Sequence, residues 1–314
     1  MKYLIAVLAL AFCASAEAGT FQVGIAEPGP GVISPTDVSA LGLAAERRTV
    51  IWHGESTYDG TLTWTPGLRA FLTVSGGYPV PAGIPPTNAE SRASYCGFVA
   101  SILERYPQVG DVEVWNEPNL SGFWGVGVSN YASLLLSCAP TIRAHGARIW
   151  ASMSPADPGS AASWAQALAP NSIDGWHQHS YGDYATNLLG QTIAAIRSSL
   201  GRKVPVLVGE SGGTALGEAA WQMMKAYCAG AAGWLNFKLR NDGDWQATWL
   251  EDVTGTPLPV YWQVATEEQR IAAGGVDCSQ PAPVVIPPHS WTPNEQLAER
   301  LGEIGGWARD AYLH

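Results

Sequence analysis

Eight short apolar runs recur along this chain, each followed by a longer connecting stretch. That alternation restricts the fold more than any other feature of the sequence. The runs are Phe21–Ile25, Arg48–Trp52, Ala70–Ser75, Val112–Asn116, Arg148–Ser152, Gly175–His179, Val204–Gly209 and Gly233–Lys238. Several of the stretches between them carry apolar residues at helical spacing: Ser91–Tyr106, Tyr131–His145, Leu188–Leu200, Glu218–Tyr227 and Pro259–Ala273. Strands alternating with helices pair in parallel. Near-continuous apolar runs such as Val204-Pro-Val-Leu-Val-Gly209 suit strands covered on both faces. Eight such units predict an α/β fold, a closed (β/α)8 TIM barrel in a single domain, with an open doubly wound sheet as the alternative. The 314 residues hold one barrel of about 250 residues plus short extensions.

The extensions read differently. Lys2, the apolar Leu4–Phe12 and the small residues of Ala14-Ser15-Ala16 or Ala16-Glu17-Ala18 predict a signal peptide over 1–18. The barrel is expected over 19–275. Residues 276–314 form a Pro-rich linker, with four prolines between Gln280 and Pro288, and a C-terminal helix opened by the capping box Thr292-Pro-Asn-Glu295. No later apolar run reaches about 20 residues, so the mature chain is expected to be secreted, soluble and monomeric, without a membrane partner. Cys96, Cys138, Cys228 and Cys278 remain, an even number that suits two disulfides in an exported protein. Cys96 and Cys138 fall on the helices after runs three and four, neighbours in a barrel. Cys228 and Cys278 lie near the ends of the last two helices. Of the three possible pairings, Cys96–Cys138 and Cys228–Cys278 are topologically cheap and are the expected pairs, with buried free thiols as the alternative.

A formal net charge of −10 argues against nucleic acid or an anionic membrane as partner, because phosphates would be repelled. Trp (14) and Tyr (11) outnumber Phe (6). Such rings stack on the apolar faces of sugars and suit a saccharide cleft, although they serve core packing equally well.

Barrel active sites lie at the C-terminal ends of the strands. Strand four ends in Trp115-Asn116-Glu117-Pro118 and strand seven in Gly209-Glu210-Ser211. Strands four and seven stand on opposite sides of an eight-membered ring, so Glu117 and Glu210 would face each other across its mouth. Two facing carboxyls are what glycosidic cleavage needs: one protonates the leaving oxygen while the other attacks the anomeric carbon.

The sequence here resembles clan A glycoside hydrolases, closest in flavour to family 39. Val114-Trp-Asn-Glu-Pro-Asn119 is similar to that clan's strand-four signature, and Val206-Leu-Val-Gly-Glu-Ser-Gly-Gly213 to its strand-seven nucleophile segment. Ile173-Asp-Gly-Trp-His-Gln-His-Ser-Tyr-Gly182 looks like the strand-six pattern, and Arg48-Thr-Val-Ile-Trp52 like strand two. The resemblance implies a retaining glycosidase with a carbohydrate substrate and no cofactor. Glu117 would be acid/base and Glu210 nucleophile. Asn116 would bind the sugar 2-hydroxyl, and Arg48 would hold Glu210 ionised. His179 and Tyr181 would line the cleavage subsite, with Trp52 nearby and Trp234 or Phe237 as its floor. Alternation lets only one of Trp234 and Phe237 point inward. Arg47 competes with Arg48, and the alternation with Trp52 favours Arg48. The β-sandwich that accompanies family 39 has no room in this chain. Glu55, Tyr58, Asp59, Trp124, Tyr184, Trp245 and Trp249 fall in loops after the strands and are candidates for outer subsites. Two other readings stay open: a non-catalytic carbohydrate-binding barrel, and a metal-dependent hydrolase using His177-x-His179.

Overall fold

The computed structural model describes residues 21–79, 84–154, 157–168, 173–212, 217–240, 249–252 and 254–279. The expected signal peptide, most of the Pro-rich linker and the C-terminal helix lie outside the described residues.

Eight parallel strands close in sequence order: β1 (Gln22–Ala26), β2 (Leu43–Ile51), β3 (Arg69–Ser75), β4 (Val109–Val114), β5 (Arg148–Met153), β6 (Gly175–Tyr181), β7 (Val206–Gly212) and β8 (Gly233–Phe237). The ring seals where β1 pairs in parallel with β8, from Gln22 opposite Gly233 to Ala26 opposite Phe237. The open-sheet alternative is thereby excluded. Around the ring run α1 (Pro35–Ala40), α2 (Ala89–Arg105), α3 (Val128–Ala144), α4 (Pro158–Ala167), α5 (Gly182–Leu200), α6 (Glu218–Cys228) and α7 (Pro259–Ala272). The β2–β3 connection contains no helix.

Strand β2 starts five residues before the expected Arg48. Its first half carries Glu46, Arg47 and Arg48, which no apolar pattern marks. Burial of these charges is tolerated because each is paired: Arg48 reaches Glu46 at 3.1 Å, and Arg47 reaches Glu113 at 2.6 Å. Helices α1 and α4 are too short for periodicity to reveal, yet each opens with a side-chain cap and a first-turn proline, Ser34-Pro35 and Asp157-Pro158.

Two cores result. Ala26, Ala45, Phe71, Trp150, Leu207 and Leu235 fill the barrel interior. A larger shell, including Val74, Phe98, Trp115, Leu135 and Ile193, packs the strands onto the helices. The barrel floor is polar: Asp111 accepts from Arg69 at 2.7 Å and from Trp150 Nε1 at 2.6 Å. Tyr261 on α7 donates to Asp37 on α1 at 2.9 Å, tying the last helix to the first. Disulfides join Cys96 on α2 to Cys138 on α3, and Cys228 to Cys278 beyond α7. No described helix is long and apolar enough to cross a membrane.

Candidate active site at the mouth of the barrel

The C-terminal end of β4 leaves strand geometry abruptly. Trp115 and Glu117 both have left-handed backbones, with φ of 66° and 44°. Such conformations cost about 1–3 kcal/mol each in non-glycine residues. Their effect is to break the alternation, so that Asn116 and Glu117 both reach the mouth while Trp115 points into the outer shell. Trp115 is held there by Tyr95, Trp52 and Trp124, whose rings lie 5.9, 6.4 and 5.0 Å away. Two helix tyrosines satisfy backbone groups at the disturbed strand ends. Tyr95 on α2 accepts from Trp115 N at 3.2 Å and donates to Val74 O at 2.7 Å. Tyr131 on α3 accepts from Ser152 N at 3.0 Å and donates to Val114 O at 2.9 Å.

Glu117 and Glu210 meet over the mouth, with 7% and 8% of their surfaces exposed. One carboxylate oxygen of each, with one ring nitrogen of His179, form a set whose members all lie within 4.8 Å of one another. His179 Nδ1 lies 2.8 Å from Glu117 and 3.5 Å from Glu210. Glu210 is gripped at both oxygens: Oε1 accepts from Arg47 at 2.6 Å and Oε2 from the Tyr181 hydroxyl at 2.9 Å. Burial and the neighbouring Glu210 push the Tyr181 phenol well up, so it remains a donor.

Beneath this pair lies a fully buried layer. Glu113 accepts from Arg47 Nε at 2.6 Å, from Thr73 at 2.7 Å and contacts His177 Nδ1 at 2.7 Å. Burial alone would raise the Glu113 carboxyl, but Arg47 and His177 hold it well below the usual carboxylate range. Arg47 also donates to Asn116 Oδ1 at 2.8 Å. Burial pulls His179 down, but Glu210, Glu113 and Glu117 outweigh it and raise the imidazole to about 10. Its Nε2 stands 3.7 Å from Glu113, an ion-pair contact beyond hydrogen-bond length.

The structure brings together Glu117, Glu210, Asn116, His179, Tyr181 and Phe237, and separates three other residues from them. Arg48, expected beside Glu210, turns outward and donates to Gly29 O and Gly31 O at 2.7 and 2.6 Å. Arg47 takes the position beside Glu210. Arg48 does share a face with Trp52, but Trp52 packs outward too, T-shaped against Tyr95 at 5.3 Å and donating to Glu55 O. Trp234 likewise belongs to the outer shell, bonded to Ser211, whereas Phe237 reaches the mouth with its ring 6.4 Å from Tyr181. Arg47, Glu113 and Glu27 complete the mouth and the layer beneath it. The alternation of Asp111 and Glu113 within an otherwise apolar strand is the signal that marks an inward polar face. Among the outer candidates, Trp124 is buried in the aromatic cluster and Tyr58 packs on Phe98. Trp245 and the Tyr184 side chain lie outside the described residues.

Glu117, His179 and Glu210 have the spacing to hold a metal ion. Their surroundings oppose one: Arg47 already occupies Glu210, and His179 holds its second proton up to about pH 10. His177 is wedged between Phe71 and Trp150, ring centroids 5.1 and 4.9 Å away, beneath Gly209, where an added Cβ would sit 2.9 Å from the imidazole.

Fold and mouth together define a (β/α)8 barrel with paired glutamates at its C-terminal rim. No protein-family model matches the chain, and no curated protein matches it. Solved structures do resemble it. A GH128 subgroup II endo-β-1,3-glucanase from Sorangium cellulosum has 16% identity and a TM-score of 0.51, covering 78% of this chain and 98% of its own. A GH128 subgroup I endo-β-1,3-glucanase from Amycolatopsis mediterranei, a variant in complex with laminaripentaose, has 15% identity and a TM-score of 0.50, covering 79% and 100%. A hyperthermophilic β-glucosidase mutant has 11% identity and a TM-score of 0.56, covering 78% and 99%. At these identities the likeness is one of fold.

Proposed function

We propose that this protein is a retaining glycoside hydrolase acting on an oligo- or polysaccharide, with Glu117 as acid/base and Glu210 as nucleophile. The observation that carries the reading is that one oxygen of each carboxylate lies within 4.8 Å of the other. Retaining enzymes hold their pair at about 5–5.5 Å, whereas inverting enzymes leave about 6.5–9.5 Å for a water.

The surrounding groups support these roles. Glu117 passes its proton to the glycosidic oxygen as Glu210 bonds to the anomeric carbon, and the C–O bond to the leaving group breaks. Glu117 then takes a proton from water, whose oxygen attacks the same carbon and frees Glu210. Arg47 and Tyr181 fix both oxygens of Glu210, so attack needs little reorientation. Asn116 gives its Oδ1 to Arg47, which leaves Nδ2 for a sugar hydroxyl. Arg47 and His179 carry two positive charges, matched by Glu113 and Glu210. The two disulfides suit an oxidising compartment and support secretion.

Product analysis by NMR on a panel of β-glucans, xylans and microbial polysaccharides tests the reading. The first-formed product should keep the substrate's anomeric configuration, and Glu210→Ala should abolish hydrolysis. Inverted product would refute double displacement, and full activity in Glu210→Ala would refute the assignment. Binding of glycans with no reducing ends released would favour a non-catalytic barrel.

A further inference from the structure

Glu27 is unused by the chemistry above. It stands at the end of β1 with a left-handed backbone, φ 54°. Its Oε1 accepts from Thr49 at 2.6 Å and lies 3.7 Å from Arg47 Nη1, the nitrogen that bonds Glu210 at 2.6 Å. Glu27 and Glu210 thus flank one guanidinium nitrogen, with Glu27 on the open side. Its side chain is 27% exposed, against 10% for Glu210.

A structural role explains this poorly. Arg47 already bonds Glu113, Glu210 and Asn116 through one hydrogen of each nitrogen, and at 3.7 Å Glu27 is too far for a hydrogen bond. Glu27 adds a second carboxyl beside the nucleophile and a strained backbone, and its ion pair with Arg47 is longer than those of Glu113 and Glu210. Strain of this kind persists where function selects it. The contacts at Oε1 hold the side chain, and among the described residues Oε2 has no hydrogen-bond partner. Burial raises the carboxyl; Arg47 and Thr49 pull it down, Glu210 raises it and Lys238 lowers it, with a net result above its ordinary value.

We infer that Glu27 binds a hydroxyl of the glycosyl unit seated over Glu210, acting as a third carboxyl that selects which sugar the site accepts. With Oε1 engaged by Thr49, Oε2 is the oxygen that suits a ring hydroxyl. The inference rests on the glycosidase reading, and its test separates the two. Calorimetry would measure laminaripentaose, cellopentaose and xylopentaose binding to the full chain carrying Glu210→Gln, with and without Glu27→Ala. Turnover would be followed in the Glu210-intact proteins, with Glu27→Gln as a shape-conserving second variant. Loss of Glu27 should weaken binding of the accepted sugar about 10- to 100-fold, the range for a hydrogen bond to a charged group. kcat/KM should fall in parallel, while Tm stays level or rises as strain is relieved. Equal affinity with and without Glu27, or a Tm drop that accounts for the lost activity, overturns the role of Glu27 alone. If the wild-type chain binds and cleaves no glycan, the glycosidase reading fails and the Glu27 proposal falls with it.

Discussion

Replacing Arg47 is the sharpest test of how this site is built. Its guanidinium makes three buried contacts, with Glu113 of β4 at 2.6 Å, Asn116 just beyond β4 at 2.8 Å and Glu210 of β7 at 2.6 Å. Arg47→Met keeps much of the stem's volume but takes the shared guanidinium from Glu113 and Glu210, leaving His179, 3.7 and 3.5 Å from them, as their cation. Removing one partner of a buried ion pair costs about 3–5 kcal/mol. At about 2–4 °C per kcal/mol for a domain of this size, Tm should fall by roughly 6–20 °C. The loss has a pH signature. In the wild type, Glu113 sits well below 4.5, so its stabilisation is present above that value and disappears as pH falls through its folded pKa. Without Arg47, burial raises the same carboxyl, and the variant is penalised wherever the unfolded chain would ionise it. The stability gap should therefore widen as pH rises through about 4.5 and narrow in acid. Denaturant titrations at pH 3.5, 5 and 7 would read it. Arg47→Lys should recover part of the stability, because an ammonium cannot span the forked contacts. On a cleaved substrate its kcat/KM should still be about 10- to 100-fold low. Arg48→Lys should cost stability through Glu46 and the Gly29–Gly31 carbonyls, with kcat retained. An Arg47→Met gap near zero at pH 7, a gap that persists in acid, or a larger kcat loss in the Arg48 variant would refute the reasoning.

Three further outcomes follow from the same geometry. Tyr131→Phe strips partners from Ser152 N–H and Val114 C=O, and should cost about 1–3 kcal/mol for each group left unsatisfied, read by denaturant unfolding. Replacing Cys96 and Cys138 by Ser opens a loop with a sequence separation of 42, which chain entropy values at about 4 kcal/mol, read as a Tm drop against the wild type under oxidising conditions. His179 is raised from 6.5 to about 10, so its stabilisation is complete below about 6.5 and is lost as pH rises through 10; His179→Asn should flatten that alkaline slope in denaturant titrations.

The barrel was legible because its signal is repeated. Eight runs at regular spacing overdetermine the count, even where individual boundaries drift, as at β2. The glutamates were legible because strand ends are where a barrel does chemistry. What failed was face assignment. Period-two alternation correctly grouped Arg48 with Trp52, but Trp52 faces outward, so sound parity was applied from the wrong anchor. An aromatic residue in a barrel strand fits the helix-packing shell as readily as the mouth, and Trp52, Trp115 and Trp234 all took the shell. Inward positions near the mouth went to small, polar or charged residues: Ala45, Arg47, Thr49, Thr73, Glu113, His177 and His179. Near the mouth, charge paired across strands, as Arg47 with Glu113 and Glu210, marks the inner face.

The end of β4 explains why alternation alone could never have brought Glu117 to the mouth beside Asn116. A regular strand would send Asn116 and Glu117 to opposite faces. Both are needed at the mouth, and only the left-handed turns at Trp115 and Glu117 permit it. Those turns are unfavourable locally, so their stability must come from outside the segment. It comes from α2 and α3, whose Tyr95 and Tyr131 take up the displaced backbone groups and whose Cys96 and Cys138 lock the two helices together. The disulfide thus acts on the site through the tyrosines it holds in register. Opening it should loosen the position of Glu117 before it unfolds the barrel. A fall in kcat below the unfolding transition of the Cys96/Cys138 variant, with binding unchanged, is the expected sign. Parallel loss of kcat and folded fraction would place the disulfide's contribution in global stability alone.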